Sequence, residues 1–148
     1  MANLRTLEEL RREGFVTAEC DRRLNPYLVK DLYGFGDVMG YDPTHLRRLR
    51  LVNGCQADVQ GHIRKYLEGG VNEKTGKVFG PNQHLAHLMT WFDLFIYSFV
   101  LRTMRNAGGH LLDRKIYKCR KWKAILSSEG KVSFEQESLC DVAETESS

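Results

Sequence analysis

Residues 85–101 constrain this chain more than any other stretch, because they run for 17 positions with Asp93 as their only acid and no Lys or Arg. A membrane-spanning helix needs roughly 20 apolar residues, so the run is too short and too polar at its centre for that role. It reads instead as a buried helix over about residues 84–107. Such a helix is apolar almost all round and is therefore packed on most sides. Arg102 and Arg105 in its last turn and the following Gly108-Gly109 are the usual signals of a helix C-terminus. Trp91, Phe92, Phe95, Tyr97 and Phe99 then belong to the helix core or to a subunit interface.

A chain of 148 residues that is 42% hydrophobic has the size of one domain with a core of its own. Leu4, Leu7 and Leu10 recur at helical spacing among charged residues, Thr6 and Glu9 fit a capping box, and Gly14 ends this first helix. Residues 15–20 alternate as a strand, and Asn25-Pro26 marks a turn. Residues 29–39 read as a second strand interrupted by Gly34 and Gly36, where another backbone or a ligand comes close. A turn at 41–45 leads to a third strand within 46–57, hairpin-paired with the second. Asp58 is placed to cap a short helix over 59–67 that stops at Gly69-Gly70. Residues 71–83 form a loop or small hairpin, 110–122 are β-prone, and 131–137 supply a further edge strand. The domain is thus residues 1–128 with that strand added. The tail, 138–148, is acidic and reads as disordered.

The chain carries 22 Lys and Arg against 19 Asp and Glu, a net charge of +3. That total hides a basic body of +8 over residues 1–128 and a tail of −5 over 129–148. A basic body suits an anionic partner, for which the tail would compete. The N-terminus lacks the apolar centre of a signal peptide, and the four cysteines show neither a CxxC pairing nor a zinc spacing. They read as reduced thiols in a cytoplasmic protein. Without a Walker loop or a G-x-G-x-x-G segment, a nucleotide cofactor is not expected.

The segment 31–37, Asp-Leu-Tyr-Gly-Phe-Gly-Asp, carries most of the chemical information. A carboxylate set among glycines on a strand offers hard oxygen ligands to a divalent cation and lets a phosphate backbone approach. Asp37 is that carboxylate. Together with Gly14-Phe15, the strand 49–56, Arg64-Lys65 and a late Gly108-Gly109 before Lys118 to Trp122, this run resembles the PD-(D/E)XK nuclease superfamily. The likeness is to small phage-encoded and Holliday-junction-resolvase-like members. It implies an α/β, restriction-endonuclease-like αβββαβ core, here with the long buried helix and the disordered acidic tail.

The resemblance further implies a Mg²⁺ or Mn²⁺ dependent DNA endonuclease, acting on branched or structured DNA as a homodimer in a bacterial or phage-infected cell. Asp37 is similar to the metal-ligating acid, and Gln56, 19 residues on, takes the next position. The lysine that the pattern puts two residues later is replaced by Asp58. The base has then moved to Lys65, with Arg64 second, or the protein does not cut. Asp58 itself reads equally as a metal-binding carboxylate and as a helix cap, and Glu19 or Glu13 could complete the acidic cluster. Metal ligands are therefore Asp37, Gln56 and Asp58, and catalytic residues Asp37, Gln56, Lys65 and Glu19.

Basic residues for DNA are Arg47, Arg48, Arg64, Lys118, Arg120 and Lys121, the last three interleaved with Tyr117 and Trp122 as phosphate and stacking groups. The rival readings are an inert nuclease-fold module that binds nucleic acid, and a phage structural or inhibitor protein.

Overall fold

The structure, a computed structural model, describes residues 2–20, 22–25, 28–30, 32–45, 47–56 and 58–137, with the backbone alone described for 2, 22–25, 28–30, 104–105 and 112–115. The tail expected to be disordered, 138–148, lies outside them, as does Cys140. In chain order the elements are α1 (Ala2–Arg12), β1 (Val16–Glu19), β2 (Arg22–Asn25), β3 (Leu28–Lys30), β4 (Val38–Tyr41), β5 (Leu49–Cys55), α2 (Val59–Glu68), β6 (Gly70–Val71), β7 (Val78–Phe79), α3 (Leu85–Leu88), β8 (Phe92–Arg105), β9 (Leu111–Leu126) and β10 (Val132–Gln136). A mixed six-stranded sheet orders them β1-β4-β5-β8-β9-β10, and two small hairpins pair β2 with β3 and β6 with β7. Neighbours in the large sheet are antiparallel except β5 and β8, which α2 joins as a parallel pair. The expected α/β class holds.

The long helix does not. Its first turn is α3, only four residues, and the rest is the 14-residue strand β8. An apolar run without alternation fits a strand buried on both faces as well as a buried helix, and parallel strands read this way. Phe, Ile, Tyr, Val and Thr in 92–103 tip the balance to strand. Leu94 and Ile96 join one core with Phe35, Leu51, Cys55, Val59, Leu85 and Leu88; Phe95, Tyr97 and Phe99 join another with Leu7, Leu10, Phe15, Val38 and Val52. Helix α1 thus covers one face of the sheet, α2 and α3 the other. Of the aromatics read as core or subunit interface, Phe95, Tyr97 and Phe99 are buried inside the domain and Trp91 is exposed.

Two local readings also shift. Helix α1 begins at Ala2, so Thr6 is a buried mid-helix residue rather than a cap. The segment read as one interrupted strand is β3, a turn and β4, with Tyr33 and Gly34 both in the left-handed region at φ 52° and 69°. Gly36 is close to a neighbour as expected, but the neighbour is the Leu51 side chain rather than a ligand. No helix among the described residues is long and apolar enough to cross a membrane.

Candidate functional site

Asp37 sits at the entry to β4 and is 7% exposed. Its Oδ2 accepts from the Gly54 amide at 2.9 Å and from Asn53 Nδ2 at 3.2 Å, while Asn53 Nδ2 also donates to the Phe35 carbonyl at 3.0 Å. Continuing the register Val38 with Val52 puts Asn53, not Gln56, across from Asp37. Asn53 Oδ1 is buried and has no hydrogen-bond partner among the described residues. Cys55, two residues on, is buried, and its thiol is pushed up by burial, with the charges of Asp58 and Asp37 adding to the shift against a bond from Ser98. A thiol raised in this way is a poor nucleophile.

The other residues expected here do not gather on Asp37. Gln56 is exposed, and its backbone oxygen accepts from Ser98 Oγ. Asp58 is the N-cap of α2, accepting from the Gly61 amide at 2.9 Å, so its structural role is realised. It still lies close enough to Cys55 to act on the thiol. Glu19 pairs with Val38, one residue beyond Asp37, and alternation sends its side chain to the opposite face of the sheet. Lys65 lies seven residues along α2 from Asp58, about 10 Å of helix rise, and lines a cleft with Tyr33, Phe79 and His84.

Half of the basic residues assigned to DNA are taken up within the fold. Lys121 is 5% exposed and its ammonium pairs with Glu9 at 2.9 Å and Glu13 at 3.1 Å. Arg47 binds Asp42 and the Glu13 carbonyl and lies over Phe15. Arg48 binds the carbonyls of Met89 and Phe92 and pairs with Asp93. Arg64 and Arg120 remain exposed and Lys118 half-buried.

Lys121 belongs to a network invisible from its neighbours in sequence. Arg50 Nη1 donates to Glu13 at 2.9 Å and to the Tyr97 hydroxyl at 2.8 Å, and that hydroxyl donates to Glu13 at 2.8 Å. Burial works against the Lys121 charge, but Glu9 and Glu13 outweigh it and hold the ammonium above its ordinary pKa. Burial pushes the Tyr97 phenol well up. These groups clamp α1 to the sheet through paired charges, with Arg50 Nε left buried and without a hydrogen-bond partner among the described residues.

Beyond the shared sheet, β8 and β9 continue as a two-stranded ribbon. Strand β8 leaves β5 after Ser98, and β9 meets β10 only from Trp122 onward, so Phe99 to Arg105 pair with 111–119 alone. Seven residues at the strand rise make a projection of about 20 Å. Residues 100–120 contain Arg102, Arg105, Arg114, Lys115, Lys118 and Arg120 against the single acid Asp113. Arg5 of α1 stacks on Tyr117 at 3.7 Å and braces the ribbon's base.

Among the described residues no group of three or more His, Cys, Asp or Glu is placed to hold a metal ion. The Asn53 and Gly54 donors turned on Asp37 are N–H groups, which cannot ligate a cation, so they do not by themselves make a magnesium site with it. No protein-family model, curated protein or solved structure matches the chain.

Proposed function

We propose that this protein binds DNA, gripping the duplex with the basic β8/β9 ribbon on a nuclease-like α/β core, and that it holds DNA rather than cutting it. The ribbon carries this reading. A two-stranded antiparallel ribbon fits the major groove, and its six basic residues against one acid supply the phosphate attraction that dominates affinity. The order α1, β1-β4-β5, α2, β8 is the one that the nuclease resemblance implies and supports that core. Against cleavage stand Asn53 across from Asp37 and Cys55 two residues later, where the pattern calls for an acid or Gln and a lysine.

A second reading keeps the enzyme. The buried Asn53 Oδ1, without a partner among the described residues and beside Asp37, favours a Mg²⁺-dependent endonuclease in which Asp37 and Asn53 would hold the ion. Bound magnesium would supply Lewis acidity at a phosphodiester.

One set of measurements separates the readings. Binding to labelled duplex DNA should weaken steeply with salt, and the triple variant Arg102→Ala, Lys118→Ala, Arg120→Ala should lower the salt slope by about one for each phosphate it no longer neutralises. An unchanged slope and affinity would remove the ribbon reading. Incubation with Mg²⁺, Mn²⁺ or EDTA should leave linear and four-way-junction DNA intact. Metal-dependent cutting abolished by Asp37→Ala would establish the second reading instead.

A further inference from the structure

The cleft that holds Lys65 plays no part in the grip described above. It lies where the turn before β4, the second half of α2 and the loop from β7 to α3 meet, and is an open cleft of about 820 Å³. Small-molecule sites run from roughly 300 to 1,000 Å³, so a base with its sugar fits within it. Its walls are aromatic. Tyr33 is 54% exposed and Phe79 38% exposed, and the Tyr33 and His84 rings lie 5.8 Å apart at 52°. Lys65 is the one charged side chain among the described lining residues, and it makes no ion pair among them.

Tyr33 is held there at a cost. It is the one non-glycine residue with positive φ among the described residues, a backbone state that L side chains rarely adopt. Asn82 fixes it: Nδ2 donates to the Tyr33 carbonyl at 3.1 Å, while Oδ1 accepts from the His84 amide at 2.8 Å. One side chain thus sets the positions of both rings. Strain maintained by surrounding bonds at an exposed aromatic concentrates at ligand sites.

We infer that this cleft takes an unpaired base of DNA, stacked on Tyr33 with Phe79 and His84 around it, its phosphate at Lys65. A base inside a duplex already has both faces stacked, so only an unpaired one can offer a face to these rings. The inference rests on the DNA-binding reading and narrows its target to duplex DNA that carries an unpaired nucleotide. The ribbon holds the paired part and the cleft the unpaired part.

The test uses the full chain, a blunt duplex, and the same duplex with single-stranded tails that contain 2-aminopurine. Tailed DNA should bind about tenfold more tightly than blunt DNA, as expected when one base is stacked on the protein. The 2-aminopurine fluorescence should be quenched on binding. Tyr33→Asn keeps a residue that tolerates the left-handed backbone and removes the ring; it should abolish the tenfold preference and the quenching while blunt-duplex affinity stays the same. Lys65→Gln should reduce the preference without restoring fluorescence. Equal affinity for the two DNAs, or quenching that survives Tyr33→Asn, would overturn the cleft assignment and leave the ribbon standing. If the blunt duplex is not bound at about 50 mM salt, or its binding ignores the ribbon variant, the DNA reading falls and the cleft assignment with it.

Discussion

Under α1, the sheet buries Lys121 and Arg50 against Glu9, Glu13 and the Tyr97 hydroxyl, so each charge meets an opposite one within hydrogen-bond reach. Under α2, it buries Asp37 against the neutral donors of Asn53 and Gly54, and leaves Asn53 Oδ1 without a partner among the described residues. Both faces set polar groups into apolar layers. They differ in the partner given to a buried charge, an opposite charge on the first face and neutral donors on the second. Each face keeps a buried polar atom without a partner among the described residues, Arg50 Nε on the first and Asn53 Oδ1 on the second. The first arrangement explains itself as structure: it clamps a helix. The second holds an acid by neutral donors, one of which keeps an unsatisfied oxygen beside it. That asymmetry is why Asp37 stays the residue to interrogate for chemistry, although Lys121 stands in the more highly charged company.

The largest expected effect comes from breaking the paired charges. Lys121→Ala strips the shared cation from Glu9 and Glu13 and leaves these half-buried carboxylates to Arg12 and Arg50 alone, which should lower stability by about 3 kcal/mol in urea or guanidinium unfolding. A loss under about 1 kcal/mol would mean that the α1 face does not depend on its buried cation and that the contrast between the faces is false. On the other face, Asn53→Asp removes a donor from Asp37 and sets a like charge beside it, which should cost about 1–3 kcal/mol. Millimolar Mg²⁺ should restore part of that loss in the variant and change the wild type little. If Mg²⁺ stabilises the wild type as strongly, Asn53 Oδ1 is already a cation ligand and the endonuclease reading gains.

A smaller effect appears with alkali. Folding raises the pKa of Lys121 through Glu9 and Glu13 and that of Tyr97 through burial, so both contribute stability that is complete below their unfolded values, roughly 10. That contribution drains away as pH climbs through the folded values. Denaturation midpoints measured from pH 8 to pH 11 should therefore fall at the alkaline end, and Lys121→Met should flatten the decline. A midpoint that rises with pH over this range would reverse the sign of the linkage.

The contrast between the faces is only partly visible in the residue order. Short elements with their own punctuation are readable: Asp58 before α2, Gly14 after α1, and the edge strand within 131–137 that is β10. Residues 92–105 mislead, because a strand buried on both faces has no periodicity to separate it from a buried helix. The same ambiguity hides the ribbon, since 102–105 read as a helix end rather than one arm of a hairpin. The glycines around Asp37 point to it, but nothing in the order of residues points to its partner. Hairpin length favours Gln56, whereas one-residue register decides which side chain lies opposite, and that register picks Asn53. Lys121 and Glu13 lie 108 positions apart in the chain, so no local pattern could pair them.

The smallest prediction tests burial within the charged face itself. Glu9 accepts from both Lys121 and Arg12, but the Lys121 side chain is 7% exposed and the Arg12 side chain 70%. Together the two cations hold the Glu9 carboxyl below its ordinary pKa against the opposing effect of burial. Water screens the Arg12 pair and competes for its guanidinium, so Arg12→Ala should cost no more than about 1 kcal/mol, and less as salt is added. Lys121→Ala at the same carboxylate should cost several times more and respond little to salt, because its partners are shielded. Equal losses for the two variants would show that proximity to Glu9 alone sets the energy, and that burial does not separate structural charge from surface charge in this sheet.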